Sequence, residues 1–213
     1  MKIDCIIDTS SCIILSNSEF QQTSLLTHLK ARSNFQFSHE VELELDDHRP
    51  KDLPSFLFRG GKTINTRLHT IEAYEKRMVG KALTSRAQRK LTGEARNNKG
   101  EIDNYAVAID QVHHIKRGSL IYITDDKKAI NSFAAEYSEA FPAIRLWTSF
   151  DVLLFMYADS IIPSRDIALE MLQALIYFSN SDTSNHTEKT TNELTKKIMT
   201  YTKRIDLISK LIK

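Results

Sequence analysis

Lys2-Ile3-Asp4-Cys5-Ile6-Ile7-Asp8-Thr9-Ser10-Ser11 is the stretch whose reading decides the fold. Its short isoleucine-rich run predicts a buried strand, and the run ends on a carboxylate followed by three hydroxyl side chains. An acid just beyond a buried strand lies at the sheet edge where open α/β folds bind ligands. Ser119-Leu120-Ile121-Tyr122-Ile123 repeats the arrangement and ends on Thr124-Asp125-Asp126.

Between these two strands the apolar spacing is mostly helical. Cys12 to Leu15 and then Phe20, Leu25, Leu26 and Leu29 predict a helical stretch up to Lys30. Phe35-Gln36-Phe37 alternates as a short second strand, and Ser38 has the character of an N-cap for a helix carrying Glu40, Glu42 and Glu44. Glu40 and Glu44, four apart, share a face that Glu42 does not. A long basic helix is predicted from about 63 to 91, and another opens at Glu101-Ile102-Asp103 after the loop signal Asn97-Asn98-Lys99-Gly100. Beyond Ile123 a helix from 127 to about 137, a strand at 143–146 and a helix from about 149 follow. Strands alternating with helices predict a mostly parallel sheet between helices.

From Pro163 onward the character changes to an apolar helix at 167–178, a Ser/Thr/Asn-rich linker near 179–191 and a last helix. In that helix Leu194, Ile198, Tyr201, Ile205, Ile208 and Leu211 or Ile212 recur at three- and four-residue steps. The expected domains are therefore 1–158, an α/β domain, and 159–213, a helical extension. The apolar stripe of the last helix packs back on the domain or binds a partner, either a second copy or another protein.

Composition excludes several classes. Of 213 residues, 41% are hydrophobic and 26% charged, which is ordinary for a water-soluble domain large enough to bury a core. Cys5 and Cys12 are too few and too apolar in setting for a disulfide framework, and no Cys/His spacing suits zinc. Asp4 and Asp8 interrupt the N-terminal apolar run, which is therefore no signal peptide, and no run approaches the ~18 apolar residues of a membrane span. The expected location is cytoplasmic. Between Arg59 and Lys99 eleven Lys or Arg stand against three Glu, an excess of +8. With the whole chain at +2, the remainder carries −6. A basic segment beside an acidic remainder suits a phosphate-backbone binder with a metal site.

Strands ending on Asp8 and Asp125-Asp126, a helix bearing Glu44 or Glu40, and a helix opening on Glu101 and Asp103 can bring several carboxylates to one sheet edge. Such a cluster repels itself without a divalent cation, and all-oxygen ligation favours Mg²⁺ or Mn²⁺. The order of these segments resembles the PIN-domain family of metal-dependent ribonucleases. The resemblance rests on Ile6-Ile7-Asp8-Thr9-Ser10, Val41-Glu42-Leu43-Glu44-Leu45, Gly100-Glu101-Ile102-Asp103 and Ile123-Thr124-Asp125-Asp126, and covers about residues 1–158.

That resemblance implies a three-layer α/β/α domain and an Mg²⁺- or Mn²⁺-dependent endoribonuclease leaving 5′-phosphate and 3′-hydroxyl ends. It makes Asp8 the first metal ligand and Glu44 the second acid. Glu101 or Asp103 is the third and Asp126 the fourth, with Asp125 at a neighbouring polar position. Thr9 and Ser10 would hold a water or a phosphate oxygen, and Arg67, Lys76, Arg77 and Lys81 would position RNA. No motif tells RNA from DNA. Family precedent points to a toxin held by a protein antitoxin, or to phage defence. Two rivals remain. One is a catalytically inactive PIN-like scaffold acting through the C-terminal helix, as a homodimer or on another protein. The other is a von Willebrand A-type adhesion module, which Asp8-Thr9-Ser10-Ser11-Cys12 approaches but breaks at Cys12.

Overall fold

The computed structural model describes residues 2–48, 62–64, 104, 107–109, 111–112, 118–127, 129–131, 141–179 and 188–212. They divide into two compact units.

The first unit, 1–10 with 33–146, is built on a five-stranded sheet. Strand β1 (Ile3–Ile7) is followed by Asp8, and helix α1 (Thr9–Asn17) begins at once. The hairpin β2 (Glu19–Phe20) and β3 (Thr23–Ser24) and helix α2 (Leu25–Arg32) lead to β4 (Ser33–Ser38), helix α3 (His39–His48) and β5 (Lys62–Ile64). The sheet is completed by β6 (Leu120–Ile123) and β7 (Ile144–Trp147). Its order is β5-β4-β1-β6-β7, and the pairs β4–β5, β1–β4 and β1–β6 are parallel. The chain is thus α/β with a central parallel sheet. It leaves β1 outward through β4 to β5, then returns on the other side of β1 as β6, so strand order reverses between β1 and β6.

β1 is central because it is apolar on both faces. Cys5, Ile6 and Ile7 are all buried, as expected of a parallel strand covered on two sides. Burial holds the Cys5 thiol up at about 12, the hydrogen bond from Ser33 opposing and Asp4 adding to it, so Cys5 is an inert core group. Ile6 packs in a cluster with Val107, Ala108, Ile109, Leu120, Tyr122, Phe141 and Ile144.

The second unit, 11–32 with 147–213, is mainly helical. Helices α4 (Ser149–Ala158), α5 (Arg165–Ser179) and α6 (Glu188–Leu211) pack on one another, and α2 packs on α4. Thr148 opens α4 by donating from its backbone N–H to Asp151 Oδ2 at 2.9 Å. Tyr201 of α6 stacks on Phe150 with centroids 5.1 Å apart, and Arg165 Nε meets Asp206 Oδ1 at 2.7 Å. Among the described residues no helix is long and apolar enough to cross a membrane.

Two sequence expectations are corrected. The continuous helical spacing up to Lys30 is broken at 18–24 by the hairpin, whose turn puts Gln21 and Gln22 at φ 51° and 61°. Left-handed backbone at two successive residues stops a helix, and no Gly, Asn or Asp marks the turn. The basic helix expected from about 63 begins instead as β5, where Thr63 pairs in parallel with Phe37. Pairing with β4 sets the backbone at 62–64; residues 65–91, the rest of that expected helix, lie outside the described set.

Candidate active site

Parallel pairing puts the C-terminal ends of β1, β4 and β6 on one edge. Ligands bind at that edge where strand order reverses, here outside β1 and β6. Asp8 N donates to Ile123 O at 3.0 Å, extending the ladder by one residue and fixing Asp8 beside Thr124.

Asp8 is 8% exposed, and its carboxylate accepts hydrogen bonds from Ser10 and Thr124. Ser10 N donates to Oδ1 at 3.0 Å, Ser10 Oγ to Oδ2 at 3.2 Å, and the buried Thr124 hydroxyl to Oδ2 in a short bond. Burial raises the Asp8 carboxyl above the ordinary carboxylate range. The Thr124 and Ser10 hydrogen bonds oppose that rise and the nearby charge of Asp126 adds to it. Desolvation prevails over the hydrogen bonds, so the site holds a carboxylate whose charge is not fully compensated.

Thr124 is the pivot of this network. Its hydroxyl donates to Asp8 and accepts from Asp126 N at 3.2 Å. Asp126 in turn caps the helical segment after it: Oδ1 accepts from Ala129 N at 3.4 Å and its carbonyl from Ile130 N at 2.9 Å. One Asp126 oxygen thus has a structural role, while its charge reaches Asp8. Asp125 is half-buried on the same turn.

The acid on α3 joins through Thr9, whose hydroxyl donates to Glu44 Oε2 in a short bond. Glu44 is otherwise exposed. Ser38 starts α3 as the sequence predicts, its Oγ accepting from Val41 N at 3.4 Å. The hydroxyl protons of Thr9 and Ser10 are therefore committed to Glu44 and Asp8.

Asp8, Thr9, Ser10, Glu44, Asp125 and Asp126 are thus gathered at the edge of one unit. Glu101, Asp103, Arg67, Lys76, Arg77 and Lys81 lie outside the described residues, as does the side chain of Glu40. Among the described residues no group of three or more His, Cys, Asp or Glu is placed to hold a metal ion. The donor chemistry at the edge nonetheless fits a hard cation. Two neighbouring carboxylates, one buried and held up in pKa, supply the oxygens and negative field that Mg²⁺ or Mn²⁺ takes.

Two residues go beyond the sequence expectations. Thr124 has a sequence signal in the Thr-x-Asp spacing after a strand. Asn104 has a subtler one, a polar side chain in register with Val107, Ala108 and Gln111 on an apolar face. Fully buried, it accepts from Ser38 N at 3.2 Å and donates from Nδ2 to Ile7 O at 3.4 Å, tying the end of β1 to the end of β4. Asn104→Leu keeps the volume but leaves both groups without that partner. We expect a loss of about 1–3 kcal/mol in urea unfolding. Amide hydrogen exchange should quicken at Ser38 while the β1–β6 ladder stays protected.

Compared with known proteins, the chain matches no family model, no curated sequence and no solved structure.

Proposed function

We propose that the chain is a PIN-like three-layer α/β/α nuclease that hydrolyses RNA phosphodiester bonds with Mg²⁺ or Mn²⁺. One observation carries this reading: Asp8 and Thr124-Asp125-Asp126 meet where strand order reverses, with Glu44 hydrogen-bonded to Thr9, the residue next to Asp8. A divalent cation there would supply Lewis acidity toward a phosphoryl oxygen and lower the pKa of water. Asp8 and Asp126 would hold it, together with Glu101 or Asp103. Thr124 and Ser10 keep the Asp8 carboxylate oriented, and Thr9 keeps Glu44 turned toward the edge.

The basic residues of 59–99, including Arg67, Lys76, Arg77 and Lys81, would position the phosphate backbone. The products would carry 5′-phosphate and 3′-hydroxyl ends. A cytoplasmic nuclease of this kind, toxin-like or defensive, would need a protein antitoxin or another restraint.

The test is cleavage of an end-labelled RNA and its DNA counterpart with added Mn²⁺. Asp8→Asn and Asp126→Asn should each lower the rate a hundredfold or more, because each removes a charge facing the cation. Undiminished cleavage by both variants would refute the assignment. A second reading is a non-cutting PIN-like scaffold acting through its C-terminal helix. Wild-type protein that binds Mn²⁺ but leaves RNA and DNA intact would favour it.

A further inference from the structure

Helix α6 is anchored over little more than one turn. Among its described side chains only Tyr201 and Ile205 are buried; from 191 to 200 none is, and beyond Asp206 none is. The polar anchors fall in the same turn. Asp151, in the first turn of α4, accepts through Oδ1 from the Tyr201 hydroxyl at 3.3 Å and from Arg204 Nη1 at 3.3 Å. Its other oxygen, Oδ2, accepts from Thr148 N and Thr148 Oγ1, each at 2.9 Å, and so caps α4. Asp206 meets Arg165 at the start of α5. The Tyr201 ring and Lys197 Nζ, the latter 3.7 Å from the ring centroid, cover Phe150, which is fully buried. The segment that feeds α6, 180–187, contains no apolar residue to tie it down.

We propose that α6 is a releasable strap, which leaves α4 and α5 in one step while both stay folded, and so uncovers the Phe150 ring. The free energy of a local opening follows the apolar contacts and hydrogen bonds that the opening breaks. For α6 these are two buried side chains and the polar contacts of 201–206. Both ion pairs are open to solvent, where such pairs contribute little. Helix α4, by contrast, buries Phe150, Val152, Leu153, Met156 and Tyr157, so its own opening costs far more. Its cap survives the release of α6, because Thr148 bonds to the Asp151 oxygen that α6 does not use. The rival account is a three-helix bundle in which α6 opens only when α4 and α5 unfold.

Native-state hydrogen exchange of the full-length chain, followed amide by amide at increasing urea, separates the two. Amides at 195–210 should be at least tenfold less protected than those inside α4 and α5, through an opening that depends only weakly on urea. Tyr201→Phe with Arg204→Met removes both donors from α6 to Asp151 while keeping the aromatic ring and the α4 cap. It should quicken exchange in α6 about tenfold. Leu26→Val trims a buried side chain of α2, in the same unit but outside the strap. It should quicken exchange in α4 and leave α6 unchanged. Equal protection of α6 and α4 in the native chain would overturn the proposal, and that comparison decides by itself should a variant fail to fold. So would Leu26→Val quickening α6 as much as α4, or a double variant whose α6 exchanges as in the native chain.

Discussion

Asp8→Asn is expected to stabilise the metal-free protein at neutral pH and to remove a pH dependence that the native chain shows. The Asp8 carboxyl is held above its ordinary range by burial and by Asp126. The folded state therefore keeps that proton to higher pH than the unfolded chain does, where the carboxyl titrates near 3.9. Below the unfolded value both states are protonated and Asp8 carries no penalty. As pH climbs from there through the raised folded value, ionisation costs the folded state more than the unfolded one, and stability falls. Above both values the penalty is complete.

An asparagine removes the charge and still accepts from Ser10 N. The Thr124 hydroxyl, which donates to Asp8 now, can rotate to accept from the amide. The expected gain at pH 7 is on the order of 1 kcal/mol, the usual size of a single stabilising substitution. It should shrink to nothing toward pH 3. Urea midpoints of the two proteins between pH 3 and 8 check this; parallel curves would show that Asp8 is not the strained acid the network makes it. A substitution that stabilises the fold while abolishing cleavage is the pattern expected of a site kept for chemistry.

Ile6→Ala should have the largest effect on folding. Ile6 lies in the strand that pairs on both sides and is buried in a cluster whose other members come from β6, β7, Phe141 just before β7, and the helical residues 107–109. Deleting three carbons there removes transfer free energy and leaves a cavity that paired neighbours cannot close. The expected cost is about 2–5 kcal/mol, set against a total of roughly 5–15 kcal/mol for a domain. Urea unfolding followed by far-UV circular dichroism measures it. A loss below about 1 kcal/mol would mean that β1 is not the centre of the core.

Much of this fold is legible in the chain because its strongest signals are local. Cys5-Ile6-Ile7 and Leu120-Ile121-Tyr122-Ile123 read as buried strands from composition alone, and Asp8 and Asp126 stand just past them. That the two strands are neighbours follows from their shared hydrogen-bonding ladder and is not written in either segment. The hairpin at 19–24 escapes reading because each strand has two residues and its turn is made by Gln21 and Gln22. β5 escapes because three residues, Lys62-Thr63-Ile64, are too few to show alternation before a helical pattern takes over. Glu44 is placed at the site through Thr9, a bond between residues 35 apart that no spacing rule contains. Asn104 shows the general difficulty. A buried polar side chain is visible as an anomaly on an apolar face, but its partners, the backbone of Ile7 and Ser38, lie 97 and 66 residues away.

Mn²⁺ titration followed by water-proton relaxation tests whether the edge outside β1 and β6 holds a divalent cation, as we propose. The native protein should show saturable binding, accompanied by a rise in melting temperature that grows with Mn²⁺ concentration. Asp8→Asn should lose both the binding and the rise. Equal Mn²⁺ binding by the native protein and Asp8→Asn, or none by either, would contradict the account.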